Sequence, residues 1–382
     1  VIGNEEIVSV SYKNLAEEMN PGDIILVNDG LVRFKVESTT DTDILCVVEI
    51  GGVLSDKKSM SFPDKVLRQT FLSEVDKADL LFGIQNDVDF IAASFVSREQ
   101  DVIDMREFLD ANGGKDIQII AKLENRSGVD HAEAILEHCD GLMVARGDLG
   151  VEIPYVELPA IQKHLITTCR LKGGLAITAT EMLESMISKP RPTRAEISDV
   201  ANAVFDGTSV VMLSGETAMG NYPVEAVRAM ANIAVEAERN MNYEALFSNT
   251  DFELQNLNDA LSHATCQLAI DTDAKCIVAC TRTGITGRMI CRFRCPAPVI
   301  GMTTNEKAYR QLAMSWNLKP MLCEEFFSTD VLFYHAVLTA RASGLATSGD
   351  TIVITGGMTN GRSGNTNLIK VEKLGEVPTH PN

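Results

Sequence analysis

Aromatic residues are scarce in this chain, 5% with a single Trp, so any core must be filled mainly by aliphatic packing. Basic residues are short as well: 34 Lys and Arg stand against 53 Asp and Glu, a formal net charge of −19. A surface that acidic repels phosphate backbones and anionic lipid, which excludes nucleic acid as an expected partner. It also makes a Lys or Arg inside an apolar stretch informative. The sequence has no run of about 18 apolar residues, so no membrane span is expected, and no secretory pattern opens it, so the expected location is cytoplasmic. The nine cysteines are odd in number and form no CxxC pair, which argues against a disulfide framework or a zinc ribbon. Cys276/Cys280 and Cys291/Cys295 share a spacing, but without a His cluster they read as reduced packing thiols. Nor is there an initiator Met: Val1 stands directly before a strand-like pattern, and the expectation is that an upstream piece is absent.

What is present divides into three units, as 382 residues favour more than one domain. Residues 1–63 alternate short β-branched runs with turns: Ile7 to Tyr12, Ile24 to Val27, Leu31 to Glu37 and Ile44 to Glu49, separated by Pro21-Gly22 and Asn28-Asp29-Gly30. This pattern predicts a small β domain closed by Pro63. Residues 64–245 alternate amphipathic helices with apolar strands at Val88 to Phe95, Ile117 to Leu123, Gly141 to Ala145, Leu175 to Thr180 and Ser209 to Leu213, which predicts a parallel sheet covered by helices. Polar residues recur at or just past the carboxyl ends of these strands: Ser94, Lys122 with Glu124, Arg146 with Asp148, Thr180 with Glu181, and Ser214 with Glu216. A (β/α)8 TIM barrel carries its chemistry on such a ring, whereas a doubly wound sheet concentrates it at one switch point. The barrel is therefore the expected fold. After a linker near Ser248 to Asp251, residues 251–382 alternate helices and strands again and predict an open α/β domain.

Within the ring, Lys122 is the unusual residue, because an ammonium at a barrel mouth is expensive to desolvate unless partnered. A strand-end salt bridge to Glu124 would account for the pair alone. Asp148, in Arg146-Gly147-Asp148-Leu149-Gly150, adds a second carboxylate from the neighbouring strand. Two carboxylates beside an ammonium suit phosphoryl transfer, since Mg²⁺ takes hard oxygen ligands, often one or two carboxylates plus substrate oxygens. Gly147 leaves the backbone open to a ligand, Gly150 would relax the turn into the next helix, and a helix start nearby would aim free N–H groups at an anion. Thr180 could hydrogen-bond a carboxylate or hold a water near a reacting carbon, although threonines are common at strand ends. The proline-stiffened Arg191-Pro192-Thr193-Arg194-Ala195-Glu196 reads as either a helix-start loop or a subunit or substrate contact.

At these residues a family becomes recognisable. Ala121-Lys122-Leu123-Glu124-Asn125, Met143 through Gly150, Met182-Leu183-Glu184-Ser185-Met186, Pro192 through Glu196 and Met212 through Ala218 stand in the order and spacing of pyruvate kinases. The chain resembles that family along nearly its whole length. The resemblance implies Mg²⁺-dependent transfer of phosphate between phosphoenolpyruvate and ADP, giving pyruvate and ATP in glycolysis. It implies that Lys122 stabilises the transferring phosphoryl group and the enolate, that Glu124 and Asp148 bind Mg²⁺, with Mn²⁺ as a substitute, and that Gly147, Asp148 and Thr180 contact the substrate. Lys58 would reach nucleotide phosphates from a mobile β lid inserted in the barrel. The resemblance further implies a homotetramer, and K⁺ whose ligands, with the first three barrel strands and a phosphate-binding arginine, lie outside this chain. On that expectation the 382 residues alone would lack turnover. Glu181 stands where the family usually has glutamine, and Ser59 to Asp64 depart from its usual run.

In the last unit, Thr281, Thr283, Gly284 and Thr286 follow a strand and open a helix, and Arg362 and Gly364 lie in a glycine-rich loop between strands. Hydroxyls and N–H groups at a helix start can form an anion nest, and similar elements bind a sugar phosphate in allosteric pyruvate kinases; an ordinary turn is the alternative. Two other functions remain open on the sequence alone. A pyruvate-enolate aldolase or lyase would also place carboxylates and Mg²⁺ at a barrel rim, and a regulatory paralogue or inactive fragment would retain the fold without turnover.

Overall fold

The structure, a computed structural model, describes residues 3–375 except 5, 29, 64, 66, 69, 251, 327 and 358–365. Three sheets organise it. The first is antiparallel, from β1 (Ile24–Val27), β2 (Val32–Thr39), β3 (Ile44–Ile50) and β4 (Met60–Ser61), in the order β3-β2-β1-β4. Val27, Val32 and Val36 bury one face against Leu15 and Met19. The strand expected over Ile7 to Tyr12 does not form. Ile7, Val8 and Val10 are 43%, 46% and 39% exposed, and an alternating pattern without a partner strand gains no ladder and buries no face. Conversely, the two-residue β4 was too short to read from the sequence.

The second sheet is parallel and strictly sequential: β5 (Phe90–Ala93), β6 (Gln118–Leu123), β7 (Gly141–Ala145), β8 (Leu175–Ala179) and β9 (Val210–Met212). Helices such as Glu99–Ala111, Leu158–Leu171 and Arg194–Asp206 fill the crossovers. Neighbouring parallel strands joined in order by helical crossovers are the wall of a barrel, with β5 and β9 as its margins among the described strands. Side-chain alternation sets the two faces. Ile119, Ala121, Leu123, Leu142 and Val144 pack outward against Leu165 and Ile166 of a covering helix. Ile120, Met143, Ile177 and Ala179 pack together on the inner face. Lys122, two residues beyond Ile120, therefore belongs to the inner face.

The third sheet holds β10 (Cys276–Cys280), β11 (Val299–Thr303), β12 (Leu318–Leu322), β13 (Thr351–Gly356) and β14 (Leu368–Lys373), ordered β12-β11-β10-β13-β14. Only β14 runs antiparallel to its neighbour. Cys266 and Ala269 of helix Leu257–Asp271 pack on Ile277 and Ala279, while Ala336 and Ala340 of helix Thr329–Ala342 pack on Cys276 and Val278. All nine cysteines are free. Burial raises the Cys139 and Cys169 thiols to about 12, which keeps them inert.

This third unit docks on the amino-terminal ends of the second sheet's strands through a row of cations. Arg310 Nε lies 2.9 Å from Asp89 and its Nη2 lies 2.7 Å from Asp87, which also pairs with Lys307 at 2.8 Å. Arg288 pairs with Asp140 at 3.0 Å just before β7. Arg292 Nη1 donates to the Leu171 carbonyl at 3.0 Å before β8, and Arg294 Nη2 donates to the Gly207 carbonyl at 2.6 Å before β9. Arg294 is 2% exposed, stands over the Trp316 ring and is pushed down to about 10, chiefly by burial and then by Arg170.

Candidate active site

The opposite, carboxyl ends of the same strands gather the residues singled out above. Lys122 Nζ lies 2.7 Å from Glu124 Oε1 and donates to Ser94 Oγ at the end of β5, also at 2.7 Å. Glu124 is 1% exposed, and its Oε2 accepts the Phe95 N–H at 2.6 Å. Its carboxyl is nevertheless held above the ordinary range, because burial outweighs the opposing pull of Lys122 and the Phe95 N–H. The Asp148 charge adds to the upward shift, so the two carboxylates sense each other.

Asp148 sits in the first turn of helix Arg146–Glu152, which begins directly after β7. Gly150 lies inside this helix and not in a turn leading into one, which corrects the sequence reading. Gly147, beside Asp148, donates its N–H to Thr180 Oγ1 at 2.7 Å. A Cβ at Gly147 would stand 3.5 Å from that same oxygen, ordinary contact distance. Thr180 and Glu181 both adopt left-handed backbone angles, φ 68° and 53°, a conformation unusual for a β-branched residue.

Arg146 supplies what the sequence did not disclose. It is buried and points away from the rim. Nη2 and Nε donate to the Thr180 carbonyl at 2.6 and 3.1 Å, and Nη1 meets both Asp199 oxygens at 2.7 Å. Glu216, grouped with the ring from sequence, is also structural: its oxygens accept the Leu183 and Ser214 N–H groups at 2.9 and 2.8 Å. Thr193 and Glu196 form the capping box of helix Arg194–Asp206, so this segment does start a helix. No sequence signal marks the inward turn of Arg146; a left-handed threonine is invisible to pattern.

Lys58 is exposed in the connection between β3 and β4, just after the turn at Asp56-Lys57. The antiparallel unit meets the barrel wall where the Phe62 N–H donates to Glu152 Oε1 at 3.1 Å, on the helix that carries Asp148. In the third unit, Thr281 Oγ1 accepts the Gly284 N–H at 3.0 Å, and Gly284 has φ 85°. The buried Thr286 hydroxyl is paired with Thr366 at 2.7 Å. Thr283 instead lines a cleft with Gln118, Leu175 and Arg288 at the strand bases. The hydroxyls of Thr283 and Thr286 therefore have different surroundings, while Arg362 and Gly364 lie outside the described residues.

The fit to a divalent cation can be judged from this geometry. A buried carboxylate with a raised pKa, next to a second carboxylate, is short of positive charge, and both donors are hard oxygens. Among the described residues no group of three or more His, Cys, Asp or Glu could hold a metal. The protein offers two carboxylates here and leaves further positions to water and substrate, as Mg²⁺ sites commonly do. Among the described residues no helix is long and apolar enough to cross a membrane.

Comparison with known proteins agrees with this arrangement. Residues 2–227 match the family model described as pyruvate kinase, barrel domain, and residues 259–372 match pyruvate kinase, alpha/beta domain. The curated pyruvate kinase of Clostridium acetobutylicum is 44% identical over 97% of this chain and 79% of its own length. That of Clostridium perfringens is 43% identical over 98% and 80%. The Geobacillus stearothermophilus enzyme is 45% identical over 99% of this chain, which spans 65% of its length. Two family models in tandem, relatives above two-fifths identity across nearly every residue, and a carboxylate–ammonium rim on a parallel barrel wall agree: the chain belongs to the pyruvate kinase family.

Proposed function

We propose that the rim around Lys122 transfers a phosphoryl group between phosphoenolpyruvate and ADP, with Mg²⁺ held by Glu124 and Asp148. One observation carries the reading: Lys122 Nζ, 2.7 Å from a buried Glu124 whose carboxyl also senses Asp148, sets one ammonium and two carboxylates on adjacent strand ends. When bound, the cation polarises phosphoryl oxygens and offsets the substrate's charge. Lys122 supports negative charge that develops on the transferring group and the enolate oxygen, a role a preorganised cation performs without reorganising. Gly147, Asp148 and Thr180 would contact the substrate, and Thr180, whose Oγ1 here accepts the Gly147 N–H at 2.7 Å and donates to the Ala179 carbonyl at 2.6 Å, would turn its hydroxyl to the substrate carboxylate or to the water that protonates the enolate carbon.

Residues 1–63 would act as the lid, with Lys58 on nucleotide phosphate, residues 64–245 as the catalytic wall and residues 251–382 as a regulatory unit. Thr281, Thr283, Gly284 and Thr286 would belong to a phosphorylated effector's site there. Cytoplasmic location and assembly as a homotetramer form part of the same reading. The test is ATP formation from phosphoenolpyruvate and ADP, run beside Mn²⁺ binding followed by electron paramagnetic resonance. Both should fall sharply in Glu124→Gln and Asp148→Asn. Mn²⁺ binding that is equally tight in both variants would refute the metal assignment.

A further inference from the structure

Arg146 heads the helix that carries Asp148, yet its side chain turns away from the rim. It is 7% exposed and anchored by Asp199 of helix Arg194–Asp206, both of whose oxygens lie 2.7 Å from Nη1. From there its fork reaches two consecutive carbonyls: Nη2 and Nε to Thr180 O at 2.6 and 3.1 Å, and Nε to Ala179 O at 3.4 Å. These acceptors flank the peptide that turns into the left-handed region, where Thr180 has φ 68° and Glu181 φ 53°. A β-branched residue rarely adopts that conformation, and such strain persists only where surrounding contacts over-determine it. The consequence is local. With its carbonyl drawn in toward Arg146, Thr180 presents Oγ1 to the Gly147 N–H at 2.7 Å, beside Asp148.

We propose that Arg146 is a positioning residue for the transfer reaction: it holds the Thr180 backbone left-handed so that the Thr180 hydroxyl and the Gly147 N–H meet beside Asp148. The proposal rests on the phosphotransfer reading above. Arg146 itself touches no reacting atom in this arrangement. Its planar fork matters because it spans Asp199 and the Thr180 carbonyl at once, which a lysine's single ammonium cannot do.

The experiment compares Arg146→Lys, Thr180→Val and the double variant. Arg146→Lys should lower kcat roughly 10²-fold, the scale of a small misplacement of a reacting group, with KM for phosphoenolpyruvate little changed. The double variant should be no worse than Thr180→Val alone, because both changes remove the same hydroxyl from its place. Multiplying defects would overturn the proposal, as would an unchanged kcat. Asp199→Asn, which loosens Arg146 from a partly exposed position, serves as the second variant if Arg146→Lys fails to fold, and should show the same non-additivity with Thr180→Val. A crystal structure of either variant gives a readout independent of turnover: Thr180 should leave positive φ and lose its bond to Gly147. Thr180 unmoved there overturns the positioning claim. All variants are made in the complete enzyme; if its parent form binds Mn²⁺ but forms no ATP, the functional reading fails and the crystal structures alone decide the positioning claim.

Discussion

The two ends of the barrel strands both carry cation–carboxylate pairs, but Asp87 at one end and Glu124 at the other shift in opposite directions. At the base, Asp87 is held below its ordinary range by Lys307 and then Arg310, at 2.8 and 2.7 Å. At the rim, Glu124 is pushed up by burial although Lys122 stands at 2.7 Å and the Phe95 N–H at 2.6 Å. The base pairs are compensated among themselves and hold two sheets together. The rim carries a buried carboxylate and a second negative charge that the protein's own cation does not fully offset, the pattern expected where a ligand completes the charge balance. Similar residue types thus serve docking at one end and, on the proposed function, chemistry at the other.

Lys122→Met tests the contrast most severely. A preorganised cation aimed at developing charge is worth about 10²- to 10³-fold in kcat, and that loss should appear with little change in KM for phosphoenolpyruvate. Steady-state kinetics on the complete enzyme decide it. An unchanged kcat with a raised KM would mark Lys122 as a binding residue equal in ground and transition states, and the rim would then resemble the base.

Much of this contrast was legible beforehand, and the illegible part has physical causes. β7 and β8 are apolar at nearly every position and buried throughout, so their continuous runs announced a covered parallel sheet, and the polar residues just after them announced the rim. Strand β12 has no continuous apolar run to mark it, because Lys319 and Pro320 interrupt it; a proline is tolerated there because β12 is an edge strand. The docking row was hidden for another reason. Arg288, Arg292 and Arg294 are close in sequence, but their partners Asp140, Leu171 and Gly207 lie 148, 121 and 87 residues away. No local pattern encodes a contact of that kind. Thr180 was recognisable as a strand-end hydroxyl, whereas its left-handed backbone and the inward Arg146 follow only from three-dimensional packing.

Arg294→Met sharpens the base side of the comparison. The arginine is buried and donates to the Cys291 and Gly207 carbonyls, both at 2.6 Å. A methionine retains much of the packing over Trp316, and the backbone N–H of residue 294 still reaches the Cys291 carbonyl, but the buried Gly207 carbonyl loses its donor, at a cost of about 1–3 kcal/mol for a buried polar group. Thermal unfolding should begin earlier, while kcat under saturating substrate stays at the parent value. A large fall in kcat at a temperature where the variant is fully folded would show that the base contributes to chemistry, and the division between the two ends would fail.

The smallest expected effect lies at Asp87, the exposed member of the docking row. Its pKa is depressed by Lys307 first and Arg310 next, so the sign of the linkage is set. A carboxyl whose folded pKa lies below its unfolded value stabilises the fold above the unfolded pKa, and that contribution disappears as pH falls through the folded one. Asp87→Asn should therefore lower the thermal midpoint slightly at neutral pH and low salt. The difference from the parent should shrink as the solution is acidified through the carboxylate range, because the parent then loses the same charge. It should also shrink in concentrated salt, which screens exposed pairs. Melting curves of both proteins across pH and ionic strength provide the check. A difference that persists in strong salt and at acid pH would mean that Asp87 acts through something other than its charge, and its contacts with Lys307 and Arg310 would no longer count as simple ion pairs.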